Sequence, residues 1–230
     1  MRPFTYINLA ISIDGKLTTA DRKLHGFGGP EDRDLMDELR SRADAVMIGA
    51  ATSREEDPLL WVRKPERLVV RAEQGREPQP WNVIISRSLD LPSLEGSMFF
   101  NTPGFRRLVF TGMNHSEERV AEIRKLAEVY CVADVDQGLD LQAVSEKLYQ
   151  MGARKLLLEG GGTLNFAMLK QGLVDELYLT LCPLIFGGDS ATTAVGGAGF
   201  AFDQVRQLEL LELKHGSNDR IYLRYRCKQV

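Results

Sequence analysis

The segment Lys155-Leu-Leu-Leu-Glu-Gly-Gly-Gly-Thr-Leu-Asn165 sets one acid, Glu159, and three glycines between an apolar run and a helical pattern. That spacing suits ligand capture by bare backbone. Gly160, Gly161 and Gly162 remove three side chains where a strand ends, so the chain can bend sharply and touch a ligand. A helix that opens at Thr163 and Leu164 offers its first amides to a phosphate. Glu159 stands at the carboxyl end of the strand, where open α/β sheets take their ligands. A tight turn is the other use of such a triplet, and neither standard nucleotide fingerprint is present.

Further charged residues lie just past other strand ends: Asp14 and Lys16 after the first, Arg40 at the end of the first helix, and Asp57 and Arg63 around Asp57-Pro-Leu-Leu-Trp-Val-Arg63. Each alone reads as readily as a surface ion pair. Together they would meet in one crevice if the strands are parallel. Arginines there suit a phosphate or a carboxylate. Ser86-Arg87-Ser88 follows another apolar run and could hold the extra 2′-phosphate that marks NADP. A polar turn is the alternative reading of that tripeptide.

Hydrolysis by a nucleophile is poorly supported, since no G-x-S-x-G elbow occurs. His25, His115 and His215 fall in polar loops without metal-ligand spacing, and no metal site is expected. Cys131, Cys182 and Cys227 form no C-x-x-C pair and read as small core hydrophobes. A redox enzyme using nicotinamide fits this inventory, because the cofactor would carry the hydride and the protein would need only phosphate-binding backbone, orientation and a proton donor.

The elements that must position these groups follow from periodicity. The spacing predicts strands over residues 4–13, 45–49, 82–85, 108–110, 129–132, 155–158 and 176–184. It predicts helices from Pro30 with Leu35, Met36 and Leu39 on the apolar face, over 116–126 with Ser116 as N-cap, over 141–151 and over 163–170. Asp57-Pro58 ends a brief helical turn over 50–54. Residues 64–80 read as a charged surface excursion that could include a helix, and 207–214 with 220–225 as a closing hairpin. Strands alternating with helices predict an α/β fold, a mainly parallel central sheet with helices on both faces and a C-terminal antiparallel hairpin, in one domain spanning 1–230. The chain has 230 residues, 43% hydrophobic and 27% charged, with net charge −3. Neither nucleic acid nor a membrane is expected as a partner, and the N-terminal segment enters a strand pattern without an apolar leader, which points to the cytoplasm.

With these residues assembled, the chain resembles the reductase domain of the riboflavin-biosynthesis deaminase/reductases. The segments that carry the resemblance are Ile11-Ser-Ile-Asp-Gly-Lys-Leu-Thr18, Val46-Met-Ile-Gly49 with Thr52, Asp57-Pro-Leu-Leu-Trp-Val-Arg63, Leu157-Leu-Glu-Gly-Gly-Gly-Thr-Leu-Asn165, Gly172-Leu-Val-Asp-Glu176 and Pro183-Leu-Ile-Phe-Gly-Gly188. The resemblance implies a dihydrofolate-reductase-like fold, a homodimer, and NADPH-dependent reduction of a ribosylamino-pyrimidine 5′-phosphate to its ribityl form. It implies Lys16, Glu159 and Asp57 as catalytic residues, and Arg40, Asp57, Leu60 and Arg63 on the substrate side. On the cofactor side it implies Ala10, Asp14, Gly49, Thr52, Ser86, Arg87, Gly160, Gly161, Gly162, Thr163 and Leu164. The deaminase signature P-C-x-x-C is missing, so the resemblance is to the reductase part alone. Two departures stand out: Ser86 where an aspartate is common, and Gly26-Phe-Gly-Gly29 where more polar substrate contacts are expected. Dihydrofolate reduction and nucleotide binding without turnover are the rival readings.

Overall fold

The computed structural model describes residues 1–24, 26–136 and 138–228. His25, read as a loop histidine, lies outside them. In chain order the strands are β1 (Phe4–Ser12), β2 (Ala45–Gly49), β3 (Trp81–Ile85), β4 (Arg107–Thr111), β5 (Glu128–Cys131), the short β6 (Asp134–Val135) and β7 (Gly138–Leu139), β8 (Lys155–Leu158), β9 (Glu176–Cys182), β10 (Leu208–His215) and β11 (Ile221–Cys227). The helices are α1 (Gly29–Arg42), α2 (Ala50–Glu56), α3 (Pro65–Glu73), α4 (Met98–Asn101), α5 (Glu117–Arg124), α6 (Leu141–Gln150) and α7 (Gly162–Lys170).

Nine strands form one sheet in the order β10-β11-β9-β1-β8-β2-β3-β4-β5. From β9 to β5 every pairing is parallel; β11 joins β9 antiparallel, and the β10–β11 hairpin closes the edge. Strands buried on both faces need continuous apolar runs, which is why β2, β3 and β8 were legible as such. Alternate residues of these strands enter two cores. Ile7, Met47, Val83, Phe110 and Leu158 pack with Val144, Leu148 and Met168 of α6 and α7. Tyr6, Val46, Ile84, Val109 and Leu157 pack with Leu39, Val120 and Ile123 of α1 and α5 on the other face. Helices therefore cover both faces, as expected.

The segment read as a surface excursion holds the helix allowed for it, and departs in being bound into the fold. Residues 65–73 form α3, and Arg71 within it is 1% exposed. Its Nε donates to the carbonyls of Glu77 and Pro78, and its Nη1 to those of Ser41 and Ala43. The side chain thus satisfies carbonyls left open where α1 ends. Two more ties bind this region to α1: Asp37, buried, accepts from the amide of Arg63 at 2.6 Å and from Arg67 Nη1 at 2.8 Å. Charged residues concealed these contacts in the sequence, because each makes its partners far along the chain. Among the described residues no helix is long and apolar enough to cross a membrane.

Candidate active site

After β2 the chain moves outward through β3, β4 and β5, and it later returns to insert β8 between β1 and β2. The carboxyl ends of β2 and β8 thus meet where the order reverses, the place where a crevice opens in such sheets. Two cavities lie there and share Thr52 and Gly161 as a common wall. The first, of about 720 Å³, is lined by Asn8, Ala10, Phe27, Asp32, Arg33, Arg40, Leu60, Arg63, Glu159 and Gly160 among others. The second, of about 450 Å³, is lined by Gly49, Arg22, Arg87 and residues 161–164.

The wall between them is the glycine turn. Gly160 has φ +101°, a region closed to most side chains, and its carbonyl accepts from the amide of Gly49 at 2.9 Å. A Cβ on Gly162 would lie 2.3 Å from the carbonyl oxygen of Thr193, so the loop carrying Thr193 presses directly on the start of α7. The Gly160–Gly161 peptide is cis. The first turn of α7 thus lines the second cavity, at the residues where the sequence reading expected a phosphate cradle.

Arg40 and Glu159 face each other across the first cavity's floor. Nε donates to Oε1 at 2.7 Å and Nη2 to Oε2 at 2.6 Å, with the two side chains 3% and 9% exposed. Burial pulls the Arg40 guanidinium down, but the attraction and hydrogen bonds of Glu159 outweigh it and hold it above its usual value. Arg40 Nη1 also donates to the carbonyls of Leu59 and Trp61 at 3.2 and 3.3 Å. Most of this guanidinium is therefore occupied in tying the 57–63 segment to the end of β8. Leu60, 1% exposed, is fixed in that segment by Asn82, whose Nδ2 donates to its carbonyl at 3.0 Å. Arg63 and Arg33 line the cavity from exposed positions, and neither side chain has a hydrogen-bonding partner among the described residues.

Four expected site residues line neither cavity. The Asp57 carboxylate accepts from the amides of Met98 at 2.5 Å and Phe99 at 3.2 Å; it anchors α4, whose Met98 reaches the cavity in its place. Asp14 accepts from Ser12 Oγ at 2.7 Å and from the amides of Phe186 and Gly187 at 3.1 and 2.7 Å. These bonds hold its carboxyl at about 2, well below the usual range. Lys16 pairs by its backbone with Thr193, and the next residue, Leu17, lines the cavity instead. Ser86 is buried, and its hydroxyl points back to the carbonyl of Asp90 at 3.4 Å. For Asp57 and Asp14 the direction of the side chain is set by backbone amides far along the chain, and for Ser86 by a carbonyl four residues on.

Three residues were missed. Asp32, in the first turn of α1, accepts from Thr180 Oγ1 at 2.6 Å. Burial raises its carboxyl above the usual range, and the nearby Glu159 adds to the shift against the opposing Thr180 hydroxyl and Arg220 charge. Arg33 follows it. Asn8, on β1, is buried and its Oδ1 has no hydrogen-bond partner among the described residues. The one available signal was an amide interrupting the apolar run Tyr6-Ile-Asn-Leu-Ala10. Asp32 looked like an ordinary acid of a helix's first turn.

A family model described as the RibD C-terminal domain matches residues 3–222. A protein of Archaeoglobus fulgidus named 2,5-diamino-6-ribosylamino-4(3H)-pyrimidinone 5′-phosphate reductase is 34% identical over 200 residues, which cover 87% of this chain and 89% of that protein. A protein of the same name from Methanothermobacter thermautotrophicus is 37% identical over 221 residues, covering 93% and 92%. Among solved structures, a pyrimidine reductase-like protein from Corynebacterium diphtheriae superposes with a TM-score of 0.83 at 27% identity, over 99% of this chain and 93% of that one.

Proposed function

The chain belongs to the RibD C-terminal domain family, and we propose that it is a single-domain, NADPH-dependent reductase of 2,5-diamino-6-ribosylamino-4(3H)-pyrimidinone 5′-phosphate, acting in riboflavin biosynthesis in the cytoplasm. The observation that carries this reading is the pair of cavities meeting at Gly161 and Thr52, one lined by the first turn of α7 and the other by the partly buried Asp32.

The residues present suit a nicotinamide dinucleotide. A Cβ on Gly161 would lie 3.0 Å from Thr52 Oγ1, so only glycine leaves the backbone bare between the two cavities. The amides at the start of α7 would hold the diphosphate, with Thr163 beside them, and Arg87 on the rim would take the 2′-phosphate. When bound, the reduced nicotinamide would supply hydride to C1′ of the ring-opened, imine form of the substrate.

This chain's own residues do the rest. Arg33 and Arg63 hold the 5′-phosphate at the cavity mouth, in place of Arg40, whose donors are occupied. Asn8 Oδ1 accepts a hydroxyl or amino proton of the substrate. Asp32 donates a proton to the imine nitrogen as the C1′=N double bond becomes single and its π pair moves to nitrogen. A carboxyl raised by burial keeps that proton closer to neutral pH, which is what a general acid needs. Glu159 positions Arg40 and, through it, the wall that carries Leu60.

A homodimer fits the uncovered face of the sheet edge. Leu213, Leu223 and Leu179 form one rung across β10, β11 and β9, and Leu210, Tyr225 and Leu177 another, with Leu210 and Leu213 about half exposed. Apolar rungs at a sheet edge favour a partner. A Leu213→Glu variant should sediment as a monomer if this face is the interface.

The test of the reaction is nicotinamide oxidation with the 2,5-diamino-pyrimidinone ribosyl phosphate, its deaminated counterpart and dihydrofolate. Preferred turnover of the first supports the assignment. Turnover of dihydrofolate alone would refute it. Cofactor binding with no turnover of any of the three would leave a nucleotide-binding protein.

A further inference from the structure

Phe27 is the one side chain in the run Gly26-Phe-Gly-Gly29, and it lines the first cavity. The run is fastened from several sides. A Cβ on Gly28 would lie 2.2 Å from the Asp32 carboxylate, so the backbone rests directly on that acid. The Phe27 carbonyl accepts from Arg220 Nη2 at 3.0 Å. Its ring meets Phe186 edge-on, with centroids 5.0 Å apart and planes at 83°. Phe186 is held in turn through its own amide and that of Gly187, both donating to Asp14.

A ring supported in this way is a fixed wall of the cavity. The cavity's polar lining comes from other positions: Arg33 and Arg63, which are exposed, Asp32 beside Gly28, and the buried Asn8 and Arg40–Glu159 pair. An aromatic face gives a sugar hydroxyl no hydrogen-bond partner. It matches the flat face of a heterocycle, which stacks on aromatic side chains. The polar contacts expected of this loop are thus replaced by one ring.

We infer that Phe27 is a specificity-determining residue, stacking on the planar aminopyrimidine ring of the substrate and selecting it over a bare sugar phosphate; this rests on the reductase reading. The substrate class this wall admits is a flat, nitrogen-rich heterocycle bearing a sugar phosphate.

The test uses two fragments that need no turnover, triaminopyrimidinone for the ring and ribose 5-phosphate for the sugar, titrated calorimetrically into the full chain. Phe27→Ala should weaken the ring fragment by about tenfold or more and leave ribose 5-phosphate within about twofold, with Phe27→Tyr restoring the ring. The KM of the complete substrate should rise far more than kcat falls. Phe27→Leu keeps the bulk without the aromatic face, and serves if Phe27→Ala loses its fold. Selective loss of ring binding in Phe27→Leu supports the inference. Unchanged ring binding, or equal losses for both fragments, overturns it. If wild type binds the ring fragment but reduces no ribosylamino-pyrimidine phosphate, the reductase reading fails while the stacking role stands.

Discussion

A double-mutant cycle on Arg40 and Glu159 separates a structural pair from a catalytic acid. The two side chains are bonded at 2.6 and 2.7 Å and almost wholly buried. Removing one partner of such a pair leaves an uncompensated charge, which costs about 3–5 kcal/mol. Arg40→Met also leaves the carbonyls of Leu59 and Trp61 without their donor, which puts it at the upper end of that range. Glu159→Gln keeps an acceptor and its shape, so about 2–3 kcal/mol is expected. In Arg40→Met/Glu159→Gln neither charge remains, and the double variant should be more stable than the sum of single losses by about 2–3 kcal/mol. Domains carry about 5–15 kcal/mol in total, so the variants stay measurable. Urea unfolding near neutral pH, with unchanged m-values, gives the three differences. In parallel, Glu159→Gln should raise KM for the phosphorylated substrate through the displaced 57–63 wall while retaining much of kcat. Single losses below about 1 kcal/mol that simply add would refute the buried pair. Loss of kcat with KM and stability intact would return Glu159 to the chemistry.

Further expectations concern the other charges. Asp32→Asn should lose most of kcat yet gain stability at neutral pH: a carboxyl raised in the folded state opposes folding once pH climbs past its unfolded value of about 4, so the gain should vanish as pH falls below that range. Thr180, Arg220, Glu159 and Arg33 are the groups that set this value, and equal stability of the two proteins at all pH would contradict it. For Asp14, the lowered carboxyl contributes stability above about pH 4 that is lost as pH falls toward about 2, so the melting-temperature gap between wild type and Asp14→Asn should close on acidification. Arg87→Ala should raise KM for NADPH several-fold and spare NADH; it also removes the bonds of 2.8 and 3.1 Å to Asp134. An unchanged cofactor preference would remove Arg87 from the 2′-phosphate site.

What could be read from the chain alone was local in origin. The strands β2 and β8 were bounded to the residue, because two-sided burial demands uninterrupted apolar runs. The glycine turn and α7 were legible because backbone without Cβ atoms has few other uses at a strand end. Ser116 caps α5 as expected, its hydroxyl accepting from the amide of Arg119 at 3.2 Å. The short α4 left no such signal, since it depends on Asp57 from 41 residues away.

The sequence by itself determined that a parallel sheet would end in a glycine turn and a helix start, with charges gathered at its carboxyl edge. Only the tertiary structure decided what those charges do. Arg40 and Glu159, 119 residues apart, neutralise each other. Asp57 and Asp14 turn to backbone amides, and Asp32 on α1 lies against the Gly28 backbone while lining the first cavity. Strand and turn preferences act over a few neighbouring residues. The hydrogen-bond partners and burial that assign a carboxylate its role come from elements brought together by the whole sheet.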